Sequence, residues 1–512
     1  MKRVAMYSLI LAVFLGMLSG CGKATGDQTK SSAAKTPKDT VVFAQGSDIT
    51  SLDPHIGKQL RAFAVTCNMF EQIVKFDDDM NVVPSLAESW ERISDTEVKF
   101  TLRKGVKWHD GSDFTAADVK FSYERMMNTP NVANNIAFLK SVRIVDDYTV
   151  ILETKYPYAP VLAALTTPPC SIVPKKIVEA DPKNFALHPV GTGPYKFVEW
   201  KPDEYCKLEA FDDYYGEKAK TKYLVMKVVP ESTQRSIMLE TGEIDVAYDI
   251  PPGDVARLEK TKGVTLQKSN SMKTIMLNFD TKSKGPLGNK LVRQAIAHAI
   301  DKAGIVEGVL RGIGSVGILP VPPAAFGYDN SISDLKYDVA AAKELMKKAG
   351  YEKGFTCTVW VDDDQTYTEI CTVIQNQLLE IGINLKIEVM KQATKQNRLY
   401  DKQDFDINMA YFNNLVGDAD YNLYSNFHPA SASNHCYYDN PKVTDLIIKS
   451  RGQFSNEDRK KTYGEIYGIL MDEVPCVTLY YEELCVGTSD KVEGFKLNKI
   501  GAHKYKDVIV YK

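Results

Sequence analysis

Residues 85–125 read SLAESWERISDTEVKFTLRKGVKWHDGSDFTAADVKFSYER, and the reading of this run decides the fold. Polar and apolar side chains alternate over 97–102, the period of a half-buried strand, and Asp110-Gly111 supplies turn chemistry after a second short strand. Thr115 opens a helix. Its hydroxyl can cap the free N–H groups of the first turn, and Asp118, three residues on, places a favourable charge at that end. Strand, turn and cap account for every residue, and none of them brings catalytic chemistry. His109-Asp110 ends a hairpin strand rather than forming an acid–base pair.

Outward from this run the chain divides into recognisable pieces. Upstream, 41–44 is a short strand, Asp53-Pro54 ends the extended segment that follows, and 63–74 carries a helical pattern. Downstream, 142–154 forms two strands around the turn Asp146-Asp147. VGTGPYKF at 190–197 leads into a strand pair ending near Ala210, and Gly191 and Gly193 permit backbone angles that other residues resist. A helix at 232–241 closes on Gly242 and gives way to a strand at 244–248. In KLVRQAIAHAIDK, 290–302, the residues Val292, Ala295, Ile296 and Ile300 share one helical face. Helix 339–348, strand 356–361, helix 369–381 and strand 383–389 then alternate, as in an α/β domain with a substantially parallel sheet. Helices near 443–450 and 456–471 precede a strand at 476–481. There is no internal repeat.

Four of these segments resemble signatures of the family 5 extracellular solute-binding proteins, which serve ABC importers of peptides, nickel complexes and some other solutes. They are 85–125, 190–197, LETGEIDVA at 239–247 and 290–302, and the similarity runs from about residue 41 to the C-terminus. The resemblance implies an α/β, two-lobed periplasmic-binding-protein-like fold (class II, cluster C) with an extra inserted subdomain and a hinged ligand cleft. Lobe I is expected from 40–72, 185–272 and 484–512, the inserted subdomain from 73–184, and lobe II from 273–483. It also implies a monomer that captures a peptide ligand and delivers it to permease subunits with their ATPases, making and breaking no bond in it.

The same resemblance singles out the run 409–421, MAYFNNLVGDADY. In peptide-binding relatives the corresponding strand carries an aromatic residue and then an aspartate that pairs with the ligand's α-amino group. Phe412 takes the aromatic place, and Leu415 stands where the aspartate would be. An ammonium removed from water without a partner costs several kcal/mol, so Asp418 and Glu482 are the candidate substitutes. Asn413, Asn414 and Asp420 lie beside them. Further contacts are expected from Tyr480 and Tyr481, from Ser47 and Asp48, and from Trp360, because aromatic side chains give broad apolar contact with a polar tip. Leu415 keeps nickel chelates, sugars and other solutes open as rival ligands. A secreted hydrolase or a peptide chaperone on the same fold is the alternative of another class.

The N-terminus and the composition bound the rest. Lys2 and Arg3 precede an apolar core at 9–18 and small residues before Cys21, the order of a secretory signal peptide over 1–20, too short to span a membrane. LSGC at 18–21 resembles a bacterial lipobox with Cys21 as the lipid-bearing residue, and 21–39, rich in Lys, Ser, Thr and Gly, reads as a flexible tether. That address is the extracytoplasmic face of the cell membrane, or the periplasmic space where an outer membrane exists, with the lipid as the one membrane attachment. Across 512 residues, 63 basic side chains oppose 66 acidic ones, which gives no argument for nucleic acid. The cysteines other than Cys21 show no CxxC and read as free, buried thiols.

Two motif candidates fail on context. GIGSVG at 312–317 fits GxGxxG, but a helix precedes it and Pro320, Pro322 and Pro323 follow, so no helix N-terminus can meet a pyrophosphate. His428, His435 and Cys436, downstream of Asp418 and Asp420, match no standard metal spacing, and no metal or cofactor is expected. There is no GxxxxGK[ST], GxSxG or HExxH. An enzyme is therefore not expected.

Overall fold

The structure, a computed structural model, describes residues 36–512 apart from 57–59, 131 and 402–404. The expected signal peptide, Cys21 and most of the expected tether lie outside the described residues. The folded body starts before Asp39: Pro37 bridges Tyr511, the Lys38 N–H donates to the Val510 carbonyl at 2.7 Å, and Lys38 Nζ meets Asp245 at 3.0 Å.

One 11-stranded sheet runs through the body. Its path is Ile383–Met390, Phe355–Asp362, Ile407–Asn413, Val264–Phe279, Cys476–Ser489, Val246–Ala247, Thr40–Gln45, Tyr223–Val228, Tyr205–Ala210 and Tyr195–Lys201. Ser315–Val316 adds to the side of Cys476–Ser489. Parallel pairing in the second lobe is confined to three strands, with Phe355–Asp362 between Ile383–Met390 and Ile407–Asn413. The expectation of a substantially parallel sheet holds only there. Helix Gln365–Leu379 makes the crossover that parallel neighbours require, whereas Val264–Phe279 joins antiparallel to the strands on both sides.

Val264–Phe279 and Cys476–Ser489 are long, 16 and 14 residues. They pair over both ends, and their register breaks between Asn270 and Thr274. On one side of the break Ile275, Leu277 and Phe279 share a core with Val359, Ile374, Ile407 and Leu479. On the other, Val486 joins Val41, Phe43, Tyr195, Leu224 and Tyr505. Two cores on one sheet make two lobes. The sequence ends the last strand at Tyr481 because Glu482 and Glu483 interrupt its apolar run; in the structure it continues to Ser489.

A third core belongs to a separate four-stranded antiparallel sheet, ordered Ala87–Arg92, Glu97–Leu102, Thr149–Thr154 and Leu139–Asp146. Helix Ala116–Met127 packs on it, burying Val119 and Tyr123 with Val98, Phe100, Trp108 and Leu152. The opening run lies here. At its helix start the Thr115 N–H donates to the Asp118 carboxylate at 2.9 Å, so the acid caps as well as charging that end. The expected second strand shrinks to a single bridge, Lys107 to Asp113, around Gly111 at φ 86. Arg125 ties the helix to the first lobe through Asp53 and His55, at 2.9 and 3.0 Å.

Two expectations needed tertiary correction. The helical pattern at 63–74 overruns: the helix is Leu60–Thr66 and a strand occupies Val74–Phe76. The apolar run continues between them because Met69, Phe70 and Ile73 are buried. Gly191 and Gly193 are needed for contact rather than torsion. A Cβ on Gly191 would lie 1.9 Å from the Met69 carbonyl oxygen, and one on Gly193 2.7 Å from that of Asn68.

Candidate functional site

Where the long strands lose register, a cavity of about 700 Å³ opens between the lobes. The size suits a small-molecule or short-peptide ligand, since such sites fall between about 300 and 1,000 Å³. Ser47, Tyr248 and Asp249 line it from the first lobe, and Lys273, Asp364, Tyr367, Tyr411, Asn413 and Tyr480 from the second. Strand parity selects among neighbours: side chains alternate faces along Ile407–Asn413. Tyr411 and Asn413 therefore reach the cavity while Phe412 turns away onto Tyr421, with ring centroids 5.2 Å apart.

The electrostatic centre is Lys273. Its Nζ donates to Glu482 Oε1 at 2.7 Å and sits 4.8 Å from the Tyr411 ring centroid and 5.9 Å from that of Tyr367. Burial alone would lower this ammonium; the Glu482 carboxylate outweighs it and holds Lys273 well above its usual range. Glu482 takes a second donor from Ser271 Oγ at 3.3 Å. Burial pushes the Tyr367 phenol up to about 12 against the opposing charge of Lys273, with the Glu482 charge adding to the rise. The other lining cation, Arg235, is spent on backbone: it donates to the carbonyls of Val229, Pro230, Tyr248 and Asp249. Asp249, Asp364, Glu482 and Glu483 supply the negative charge.

Of the residues expected at the ligand, Ser47, Asn413, Tyr480 and Glu482 line the cavity. The remainder are placed elsewhere, each for a visible reason. Asp418 caps helix Ala419–Phe427, accepting the Asp420 N–H at 3.0 Å, and both its oxygens lie 2.7 Å from Arg459 Nη2. Burial pushes its carboxyl up, and Arg459, held between the carboxylate and the Tyr463 hydroxyl, pulls it back. Asp420 is bound to Arg451 at 2.8 Å. Asn414 is buried, donating to the Asp418 carbonyl and to Asn422. The Tyr481 hydroxyl takes the Leu319 N–H at 2.8 Å, and Asp48 takes the Trp200 indole N–H and the Asp203 N–H. Trp360 lies in a different hollow, against Phe405 and under the Arg398 guanidinium at 3.9 Å.

Sequence reasoning missed Lys273 and Tyr367, and held Tyr411 only as a member of the run 409–421, with Phe412 as its aromatic contact. A signal existed for Lys273: a single cation in the apolar stretch SMKTIMLNF, 271–279, next to a strand whose apolar run is broken by Glu482. Opposite charges interrupting two buried strands point to each other. The histidine and cysteine group at 428–436 forms no site with three or more metal-ligating side chains among the described residues. His428 stacks on Tyr424, and His435 packs against Tyr400. The eight described cysteines are free thiols, seven of them buried.

Residues 81–434 match the family described as bacterial extracellular solute-binding proteins, family 5 Middle. A relative named glutathione-binding protein GsiB, from Salmonella choleraesuis (strain SC-B67), is 30% identical over 89% of this chain and 91% of its own length. The dipeptide-binding protein of Escherichia coli (strain K12) is 27% identical over 93% and 96%. Among solved structures, the periplasmic binding protein DppA from Helicobacter pylori, in complex with the peptide STSA, superposes with a TM-score of 0.82 at 30% identity, covering 93% of this chain and 99% of that one. No helix among the described residues is long and apolar enough to cross a membrane. With its two lobes, its interlobe cavity and a match spanning most of its length, the chain belongs to the family 5 bacterial extracellular solute-binding proteins, binders of transported solutes rather than enzymes.

Proposed function

We propose that this protein is the lipid-anchored receptor of an ABC importer that captures short peptides between its lobes and hands them to the permease. The observation that carries the reading is the cavity at the break of the two long strands, walled by Tyr248, Tyr367, Tyr411 and Tyr480. Tyrosines accept many side chains, combining apolar area with a polar tip. The hinge is placed at 270–274 and 481–484. The strands the lobes share lose register there, and closure over ligand would present the permease with a different surface. The lobes divide accordingly into 40–72, 185–272 and 484–512 against 273–483, with 73–184 inserted. Cys21 carries the lipid, and the protein works as a monomer. Relatives named for dipeptide and glutathione binding support a peptide ligand.

Native mass spectrometry of protein purified without refolding tests the reading. A co-purified peptide is the expected result, and its addition to emptied protein should raise Tm while leaving the peptide intact. Retention of a nickel chelate or a sugar instead would replace the ligand class. Cleavage of added peptides would overturn the receptor reading altogether.

A further inference from the structure

We infer that Lys273 supplies from the protein the positive charge that a peptide's amino end would otherwise bring to this wall of the cleft, so that the ligand end seated there is uncharged or acidic. The inference rests on the peptide reading above. An ammonium is held by a carboxylate together with the faces of aromatic rings. Glu482, Tyr411 and Tyr367 form such an arrangement, and the Lys273 ammonium already occupies it.

The surroundings leave no carboxylate there for an incoming ammonium. A small recess at the edge of the cavity is shared by Ser271, Lys273, Asn413, Leu415, Glu482 and Lys499. It holds two lysines against one carboxylate. Leu415 closes it with an apolar wall packed on Phe63, Cys67 and Ala502, and an unpaired charge against such a wall keeps its full desolvation cost. The other carboxylates of the cleft, Asp249, Asp364 and Glu483, line the main cavity and not this recess. Asp364 is further engaged in capping, accepting the Tyr367 N–H at 2.9 Å. An acylated amino end, or a carboxylate facing Lys273, meets no such conflict.

The test uses the mature protein and a tripeptide library of which half is N-acetylated, with bound species read by native mass spectrometry. The wild type should retain acetylated members at least as strongly as free ones. In Lys273→Met, Glu482 is left to be neutralised by the ligand, and selectivity should reverse to favour free amines at least tenfold. Lys273→Met/Glu482→Gln should return to tolerance of both, which a merely structural role for the pair would not produce. Glu482→Gln alone, which keeps the lysine, should disfavour free amines further and serves should Lys273→Met fail to fold. Exclusive retention of free-amine peptides by the wild type overturns the inference and leaves the peptide reading standing, as does an unchanged ratio in Lys273→Met. Retention of no tripeptide overturns both.

Discussion

Lys273–Glu482 and Arg459–Asp418 are ion pairs of the same length, 2.7 Å, set in opposite surroundings. The first lies where two strands lose register, with side chains 21% and 34% exposed to the cleft. The second is 5% exposed at both ends and locked by the Tyr463 hydroxyl and a helix start. Both acids are candidates for ligand binding on sequence grounds, yet only one faces space a ligand could fill. The comparison teaches that a short ion pair says little about role until the groups closing off its other sides are known.

The largest effect should come from breaking the buried pair. Asp418→Asn leaves Arg459 buried without its counter-charge and should cost about 3–5 kcal/mol of stability. Urea unfolding measures it, and ligand affinity, taken under conditions where the variant is folded, should be unchanged. A tenfold loss of affinity in folded protein would return Asp418 to the site.

Acid should act next, through the buried histidines. Burial lowers His55 from 6.5 to about 4, so the folded protein resists taking up a proton that the unfolded chain accepts. Its contribution is complete above pH 6.5 and is lost as pH falls toward 4. Between pH 7 and 5 this amounts to about 2 kcal/mol for one such histidine. His109, His435 and His503, lowered to about 4 chiefly by burial, act in the same window. His55→Gln should flatten the pH dependence of unfolding by that amount. A slope identical to wild type would show that His55 is charged or exposed in the folded state.

Smaller changes should fall at the cleft. Tyr411→Leu preserves much of the bulk but removes the ring beneath the Lys273 ammonium, worth about 0.5–1 kcal/mol at a partly exposed site. Urea unfolding should show a stability loss of that size, and calorimetry an affinity reduced by about two- to fivefold through the aromatic wall lost from the cavity. At the bottom of the scale, Lys496→Ala breaks an exposed pair with Asp78 and should alter neither quantity measurably. A clear loss of stability there would undo the contrast between open and closed pairs.

Legibility followed the range of the interactions involved. The capped helix Ala116–Met127, the hairpin at 142–154 and the alternation from 339 to 389 could be read because period and capping are local. The end of the helix at Thr66 could not, since burial by distant segments kept the sequence apolar beyond it. Phe412 and Tyr411 show the same limit at the site. Adjacent aromatic residues in a strand are equally plausible until a partner strand sets which face is which, and a shift of one residue reverses the answer. Here Lys273 pairs with Asn413, and the cavity takes Tyr411.

By itself, then, the sequence determined the family, most of the local elements and the absence of enzyme motifs, because those depend on strings and short-range periodicity. Only the tertiary structure decided which charges serve the cleft. Asp418, Arg459, Lys273 and Glu482 are ionisable residues interrupting apolar runs, and whether each meets protein or open space depends on segments up to about two hundred residues away. Burial and pairing set the energy of a charge, and neither is a property of the residue alone.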